Sequence, residues 1–322
     1  MPPSFARFRF VPMGSEAPAS SISCDGLVEG AALHLTHWKK NQTPAALRAD
    51  TSTGIAFLFN ESPLAEAWKH SPIVNNHFDT DGVLAVFTLL CPEFALQHRA
   101  LFIAAAEAGD FQEWPSLDDG LRLDAALTQL GLAARDERQA FAEVLPAVQG
   151  LVRNLHARED LWGPAWQRLR AGMQAMNDGL VTVHRRGDVS IVRHGAAFHA
   201  DRERELPGPL LHRAHPEARF RWMLFDSAAS AATTHSAADD AHSSSIPTGP
   251  SASTATTPLF HARLEWPRHA WADTVLRLPP DPLDPAALAA ALGSCWRVCP
   301  SMPGTTGLIE TAEPIREIPA LP

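Results

Sequence analysis

The sequence predicts an α/β protein: an N-terminal, mainly parallel sheet with flanking helices, then a helical linker and a smaller C-terminal α/β domain. Three observations support this prediction. Short apolar runs alternate with helical patterns over residues 1–116, helical periodicity dominates residues 117–179, and strand-like alternation of apolar and polar residues begins at residue 180. We therefore place the domain boundaries near residues 116 and 179, with the C-terminal domain covering 180–322.

The N-terminal elements alternate between strand and helix. The runs FRFVP, SISCDGL and ALHLTHW are short, apolar and separated by turn-forming residues, which favours strands of a buried sheet. Residues 51–60, TSTGIAFLFN, are typical of a capped helix start followed by a buried helix, and residues 73–76 predict another strand. Ligands of open α/β sheets bind beyond the carboxyl ends of the strands. We therefore expect the polar residues that follow these runs to converge.

Beyond residue 117 the pattern changes twice. The spacing of Leu145, Val148 and Val152 indicates one apolar face of a helix. The later part of the chain carries period-2 alternation around Arg186-Gly187-Asp188, which predicts a β-hairpin. The elements predicted there are a hairpin at 180–194, strands at 219–225 and 260–266, a disordered Ser/Thr/Ala-rich insertion at 227–257, and a helix at 285–292.

Composition argues against several classes of protein. The chain has 322 residues, of which 45% are hydrophobic, so it can bury one large core or two ordinary ones. Its net charge of −9 argues against a broad basic surface, and no duplex nucleic acid partner is expected. No apolar run approaches the ~18 residues of a membrane span or forms a secretory signal, so we expect a cytoplasmic protein without a membrane partner. Four scattered cysteines predict reduced thiols rather than a disulfide scaffold.

The most distinctive segment is NNHFDTDG, residues 75–82, which lies between two apolar runs. It offers His77, Asp79 and Asp81 as metal ligands. If the segment is extended, alternate residues point the same way, and all three side chains would lie on one side of the chain. One imidazole with two carboxylates suits Mn²⁺ or Mg²⁺ better than the sulfur-rich sites that favour structural zinc. Hydrolysis is therefore the first chemistry to consider.

Other motifs with similar residues fit poorly. An EF-hand register would put His77 at the first ligand position and Thr88 at the closing Glu position. No Walker loop, dinucleotide fingerprint or GxSxG nucleophile elbow occurs in the chain. One structural alternative stays open: Asp79 and Asp81 form a turn and a helix N-cap, which needs no metal.

On these residues the chain resembles the DHH phosphoesterases, whose first motif reads much like NNHFDTDG. A second resemblance lies in THWKKNQTPAALRADTST, residues 36–53. It is similar to the family stretch in which Asp-His-His is followed by Asn, then an Asp, then a Ser/Thr cluster that opens a helix. On that match His37 takes the place of the first His and Asp50 that of the following Asp. Asp25, at the end of the preceding apolar run, is the candidate for the isolated strand-end Asp of the second motif.

The chain departs from the family pattern in two ways. The segment with His37 and Asp50 precedes NNHFDTDG, whereas the family normally has the opposite order. Sheet positions survive such a permutation when the termini are close together. In addition, Thr36 and Trp38 stand where the family has Asp and a second His. These two replacements remove a possible metal ligand and a proton donor.

The resemblance implies a two-metal site for Mn²⁺ or Mg²⁺ in which Asp25 bridges the ions. It implies that His77, Asp79 and Asp50 hold one ion. It implies that Asp81 and His37, which are also the candidate catalytic residues, hold the other.

The implied activity is metal-dependent hydrolysis of a phosphoester or phosphoanhydride, with a shared water as nucleophile. The implied partner is a small phosphorylated substrate, such as a nucleotide or short oligonucleotide. The competing hypothesis is a non-catalytic protein that keeps the fold and binds a nucleotide, a metal or a partner.

Overall fold

The computed structural model describes residues 8–11, 17–195, 205–226, 259–277, 283–299 and 308–322. It contains a four-stranded parallel sheet, a six-stranded mixed sheet and flanking helices, which confirms the predicted α/β fold class. Within the described residues, no helix combines the length and the apolar character needed to cross a membrane. The insertion predicted at 227–257 lies outside the described residues.

The chain divides into two compact units, each assembled from separate stretches of sequence. Unit 1 consists of Met1–Ala171, Pro207–Pro216 and Pro267–Pro280, and unit 2 of Gly172–Leu206, Glu217–Trp266 and Asp281–Pro322. This division differs from the predicted boundaries, because most of the expected linker belongs to unit 1. Its helices bury Leu123, Leu127 and Phe141 in the same core as the parallel sheet. Periodicity shows that a helix has an apolar face but not which core covers that face.

The sheet of unit 1 is short and entirely parallel. Its strands are β1 (Arg9–Phe10), β2 (Ile22–Cys24), β3 (Leu33–Leu35) and β4 (Pro72–Val74), in the order β1-β4-β2-β3. Continuous apolar runs suit such strands, because helices cover both faces of a parallel sheet. The carboxyl ends of parallel strands meet at one edge, so the residues that follow β2, β3 and β4 lie near one another despite their sequence separation.

The first long helix of unit 1 begins where the sequence predicts its cap. Thr51 accepts a hydrogen bond from the Gly54 N–H at 3.1 Å and opens the first long helix. The helices are α1 (Ser52–Glu61), α2 (Leu64–Ala67), α3 (Thr80–Leu90), α4 (Pro92–Gln97), α5 (Arg99–Phe111), α6 (Asp118–Leu132), α7 (Glu137–Arg153), α8 (Glu159–Asn177), which runs past the unit boundary, and α9 (Gly208–Ala214). Short 3-10 turns occur at Ala45–Leu47, Leu155–Ala157 and Arg268–Trp271. Helix α3 is buried along most of its length and packs against α1 and α5.

Unit 2 contains the mixed sheet. Its strands are β5 (Val181–Arg186), β6 (Val189–His194), β7 (Phe220–Asp226), β8 (Phe260–Glu265), β9 (Arg297–Val298) and β10 (Ile309–Ile315), in the order β5-β6-β7-β8-β10-β9. Strands β6 and β7 pair in parallel, and the other neighbours are antiparallel. The predicted hairpin, the two predicted strands and the C-terminal helix, α10 (Pro285–Leu292), are all present.

Candidate metal centre

Asp25 lies immediately after β2 and is buried. Its φ of 52° is in the left-handed region, which Asp tolerates better than most residues. One carboxylate oxygen, Oδ1, accepts a hydrogen bond from Ser52 Oγ at 2.8 Å, and the other, Oδ2, lies 3.0 Å from His77 Nε2. Asp25 therefore contacts both the start of α1 and the segment that follows β4.

Asp81 lies in the first turn of α3 and is fully buried. Its Oδ2 accepts from the Ser52 N–H at 2.6 Å, and its Oδ1 accepts from the Thr53 N–H at 2.8 Å. These amides are unpaired within their own helix, and the N-terminus of a helix favours negative charge. The Ser/Thr cluster that opens α1 thus holds a carboxylate from a different helix.

An extended segment from residue 77 to residue 81 would place His77, Asp79 and Asp81 on one side of the chain. The structure does not have this segment, because helix α3 begins at Thr80. Asp79 has an extended backbone and caps α3 by accepting from the Gly82 N–H at 2.7 Å, and the helix begins at Thr80. The side chain of Asp79 instead pairs with His77, whose Nε2 lies 2.9 Å from Asp79 Oδ2. Asp81, the second residue of the helix, takes a different direction and lies beside His37.

His37 follows β3 and is buried among carboxylates. Its Nδ1 is hydrogen-bonded to the main-chain carbonyl of Asp50. A carbonyl oxygen only accepts, so Nδ1 carries the hydrogen and Nε2 bears the lone pair of the neutral ring. This Nε2 lies 3.3 Å from Asp110 Oδ2 and 3.6 Å from carboxylate oxygens of both Asp25 and Asp81. It forms no hydrogen bond with any residue that the structure describes.

Two groups of possible metal ligands share Asp25. One comprises Asp25, His37 and Asp81, the other Asp25, His77 and Asp79, and the ligand atoms of each group lie within 4.8 Å of one another. The structure thus brings together five of the six metal ligands that the sequence suggested, with Asp25 common to both groups. Oxygen ligands with imidazole nitrogen suit Mn²⁺ or Mg²⁺.

Asp50 is the sixth suggested ligand, and its carboxylate lies elsewhere. It accepts hydrogen bonds from three successive backbone N–H groups, those of Val275, Leu276 at 2.8 Å and Arg277 at 3.3 Å. Burial raises the pKa of Asp50, but these backbone amides and the Arg277 guanidinium lower it overall. Asp50 therefore reaches the centre only through its main-chain carbonyl. The suggested ligand role does not fit this placement, so we leave Asp50 out of the ligand set.

Asp110 is a candidate ligand that the sequence reasoning missed. It lies in the last turn of α5, where it is buried, with Oδ2 facing His37 Nε2. Burial raises its pKa well above the ordinary value, and the nearby carboxylates of Asp81, Asp79 and Asp25 raise it further. The available signal was the acidic pair Glu107 and Asp110 in the otherwise apolar helical run LFIAAAEAGDF. Two acidic residues three positions apart on a helix, with no His or further carboxylate beside them, did not suggest a site.

Burial and neighbouring carboxylates raise the pKa of two of the acidic groups of the centre, Asp81 and Asp110. Burial raises the pKa of Asp81 to about 6, and the Asp25 carboxylate contributes to that rise. Burial alone would lower the pKa of His77, but Asp79 and Asp25 raise it to about 11, so this imidazole is cationic at neutral pH. Burial raises the pKa of Asp25, whereas His77 and His37 lower it overall. A bound divalent cation would offset the negative charge of these carboxylates in place of protons.

Gly82 allows these groups to approach one another, and we expect Gly82→Ala to disrupt the centre. An added Cβ would lie 2.8 Å from Asn75 Nδ2, 2.9 Å from Asp25 Oδ2 and 3.1 Å from Asp79 Oδ1. Such overpacking costs about 1–3 kcal/mol in the free energy of unfolding. Calorimetric titration should show Mn²⁺ affinity reduced by about tenfold or more, since the displaced carboxylates are candidate ligands.

Gly150→Ala is the matched control for this substitution. Gly150 lies in α7, and a Cβ there meets no atom within 4 Å. Because Ala favours a helix over Gly by up to about 1 kcal/mol, this variant should be neutral or more stable. Equal Mn²⁺ affinity in the two variants would contradict the role assigned to Gly82.

Comparison with protein families gives one match, over residues 6–294, to a family described as a family of unknown function (DUF6687). The matched range includes every candidate ligand named above. No match is found among the curated proteins or among the solved structures.

Proposed function

We propose that this chain, which belongs to the family of unknown function DUF6687, is a two-metal phosphoesterase that hydrolyses a phosphoester or phosphoanhydride of a small substrate. The observation that carries the proposal is the position of Asp25, which is shared by two His/carboxylate groups. A carboxylate between two divalent ions is a recurrent arrangement in phosphatases and nucleases. The resemblance of NNHFDTDG to the first motif of the DHH phosphoesterases supports the same reaction class.

The residues divide between two proposed cation positions. Asp25 with His77 and Asp79 would hold one ion, and Asp25 with His37 and Asp81 the other. Asp110 joins the second set, because its Oδ2 faces the lone pair of His37. Every proposed ligand atom is a carboxylate oxygen or an imidazole nitrogen, which favours Mn²⁺ or Mg²⁺ over metals that prefer thiolates.

The protein's own groups orient these ligands. Ser52 donates to Asp25, and the first amides of α1 donate to Asp81, so both carboxylates keep fixed directions. The hydrogen bond from His37 Nδ1 to the Asp50 carbonyl selects the tautomer whose Nε2 can bind a cation. When bound, the ions supply Lewis acidity toward water and the phosphoryl group.

Trp38 bears on the choice of substrate. Its ring centroid lies 4.8 Å from that of His77, so it borders the centre where the DHH pattern has a second His. An indole N–H does not serve as a general acid at neutral pH. We therefore propose that the enzyme prefers phosphoanhydrides and aryl phosphodiesters, whose leaving groups need no proton, over alkyl phosphomonoesters.

The test is Mn²⁺-dependent hydrolysis of bis-p-nitrophenyl phosphate, pyrophosphate and short oligonucleotides by the full chain and by two isosteric variants. Asp79→Asn keeps an oxygen that can cap α3 but removes a ligand charge. Asp81→Asn removes a ligand charge from the other group and keeps one of the two oxygens that accept from the start of α1. We expect Mn²⁺-dependent turnover in the wild type and a loss of more than about 100-fold in each variant. Turnover that persists after chelation, or that both variants retain, would refute the proposal.

A second candidate function is metal-dependent binding without catalysis, which the replacement of a proton donor by Trp38 favours. In that case Mn²⁺ binds and stabilises the protein, and none of the three substrates is hydrolysed. The same titration and assay distinguish the two functions.

A further inference from the structure

Residues 267–277, here called the return strap, pack beside the metal centre. In the chain they lie between two segments of unit 2, yet they belong to unit 1. Ala272 forms a β-bridge with Trp38, and the Asp273 N–H donates to the His37 carbonyl at 2.6 Å. The ring of Trp271 packs edge-on against the His37 ring, with 5.0 Å between centroids. The return strap therefore contacts both the backbone and the ring of a proposed ligand.

The strap ends at Arg277, whose largely buried guanidinium binds three carboxylates. Its Nη1 donates to Asp50 Oδ2 at 2.7 Å. Its Nε and Nη2 donate to the two oxygens of Glu113 at 2.9 and 2.5 Å, and Nη2 also lies 3.1 Å from Glu107 Oε1. The guanidinium carbon stacks 4.4 Å from the centroid of the Phe111 ring. Arg277 thus uses both edges of its planar fork on partners from two separate segments.

The segment around Asp50 holds the proposed ligand His37, and the end of α5 carries the proposed ligand Asp110. Asp50 accepts from His37 Nδ1 through its main-chain carbonyl, while its carboxylate is bound by Arg277. Glu107 and Glu113 flank Asp110 in sequence at the end of α5. His37 Nε2 and Asp110 Oδ2 face each other at 3.3 Å, and Arg277 joins the two segments that bring them there.

We propose that Arg277 is a positioning residue, which sets the His37 ring and the spacing between His37 and Asp110. The inference rests on the proposed function and deepens it, because it assigns control of the cation geometry to a residue that touches no proposed ligand side chain. Simple neutralisation of acidic charge would be met equally by Lys. Holding Asp50 and Glu113 together needs the planar fork, which Lys lacks.

The experiment compares Arg277→Lys, Arg277→Met and the control Arg122→Met in the full chain. Arg122 is a similarly part-buried guanidinium that pairs with Asp119 at 2.6 Å and stacks 4.0 Å from the Trp166 ring. The measurements are the proton NMR signal of His37 Nδ1–H in metal-free protein, Mn²⁺ affinity by calorimetry, and the visible spectrum of the Co²⁺ form.

We expect both Arg277 variants to shift or lose the His37 signal, to weaken Mn²⁺ binding by about tenfold or more, and to change the Co²⁺ spectrum. The Arg122 variant should lower the melting temperature and leave these three measurements as in the wild type. A wild-type His37 signal and wild-type Mn²⁺ affinity in Arg277→Lys would overturn the inference, because charge alone would then suffice. Arg277→Lys also keeps the test decisive if Arg277→Met does not fold.

The inference and the proposed function fail in different ways. If the wild type binds no Mn²⁺, the two-metal function is refuted, while the His37 signal in metal-free protein still tests whether Arg277 sets the imidazole. If the wild type binds Mn²⁺ and hydrolyses a substrate, but no measurement responds to Arg277→Lys, only the positioning role is overturned.

Discussion

Asp25→Asn is expected to abolish both Mn²⁺ binding and Mn²⁺-dependent turnover, because Asp25 is common to the two ligand groups. Asn has nearly the same shape, tolerates the left-handed backbone at this position and can still accept from Ser52 Oγ. The substitution therefore removes charge while keeping the turn. We expect kcat/KM to fall by about 10³-fold or more, which corresponds to about 4 kcal/mol of lost transition-state stabilisation. Calorimetry with Mn²⁺ and a phosphodiester assay measure the two losses.

Asp136→Asn provides the control for that experiment. Asp136 is also a carboxylate that accepts a backbone hydrogen bond, from the Gln139 N–H at 2.8 Å, but it caps α7 at the surface. This variant should keep wild-type Mn²⁺ affinity and turnover. If Asp25→Asn retained turnover within tenfold of the wild type, a shared bridging carboxylate could not be the basis of the activity.

The second large effect is that the candidate centre loses stability with rising pH when no metal is bound. Folding raises the pKa of Asp81 from 3.8 to about 6, so the folded state keeps a proton that the unfolded state has released. Stability therefore falls as the pH rises through that interval. Folding also raises the pKa of His77 to about 11, so its contribution is complete below 6.5 and decreases as the pH rises from there toward 11. Asp81 therefore acts between about pH 4 and pH 6, and His77 above about pH 6.5. In unit 2, burial lowers the pKa of His194 to about 4, so that residue adds stability as the pH rises from 4 to 6.5 and opposes Asp81 in that range.

Mn²⁺ should reverse this trend, because the bound cation takes the place of the protons and fewer protons compete with it at high pH. A free concentration of 100 times the Kd adds about 2.7 kcal/mol to the free energy of unfolding. Melting curves between pH 4 and pH 9, with EDTA or Mn²⁺, measure the effect. Asp81→Asn should flatten the decline between pH 4 and pH 6. A melting temperature that rises between pH 7 and pH 9 in EDTA, or an equal Mn²⁺ effect at pH 5 and pH 8, would contradict this charge balance.

Local signals in the sequence predict the elements of the fold and most of the candidate centre. Apolar runs of three to seven residues with turn residues between them are local signals, and they correctly predicted the strands that precede Asp25 and His37. The start of α1 was equally predictable, since Thr51 satisfies an amide only three residues away. Parallel strands place their carboxyl ends at one edge, so the order of the motifs along the chain did not prevent their convergence.

The choice between Asp50 and Asp110 as a candidate ligand depends on tertiary packing. Asp50 precedes a helix-opening Ser/Thr cluster and so had the sequence context of a ligand, but its carboxylate is bound by Arg277, far along the chain. Asp110 had no such context, and its place beside His37 follows from the packing of α5 against the buried α3. Caps and periodicity depend on residues within one or two turns. The direction of a buried carboxylate depends on which distant donors the folded chain brings to it.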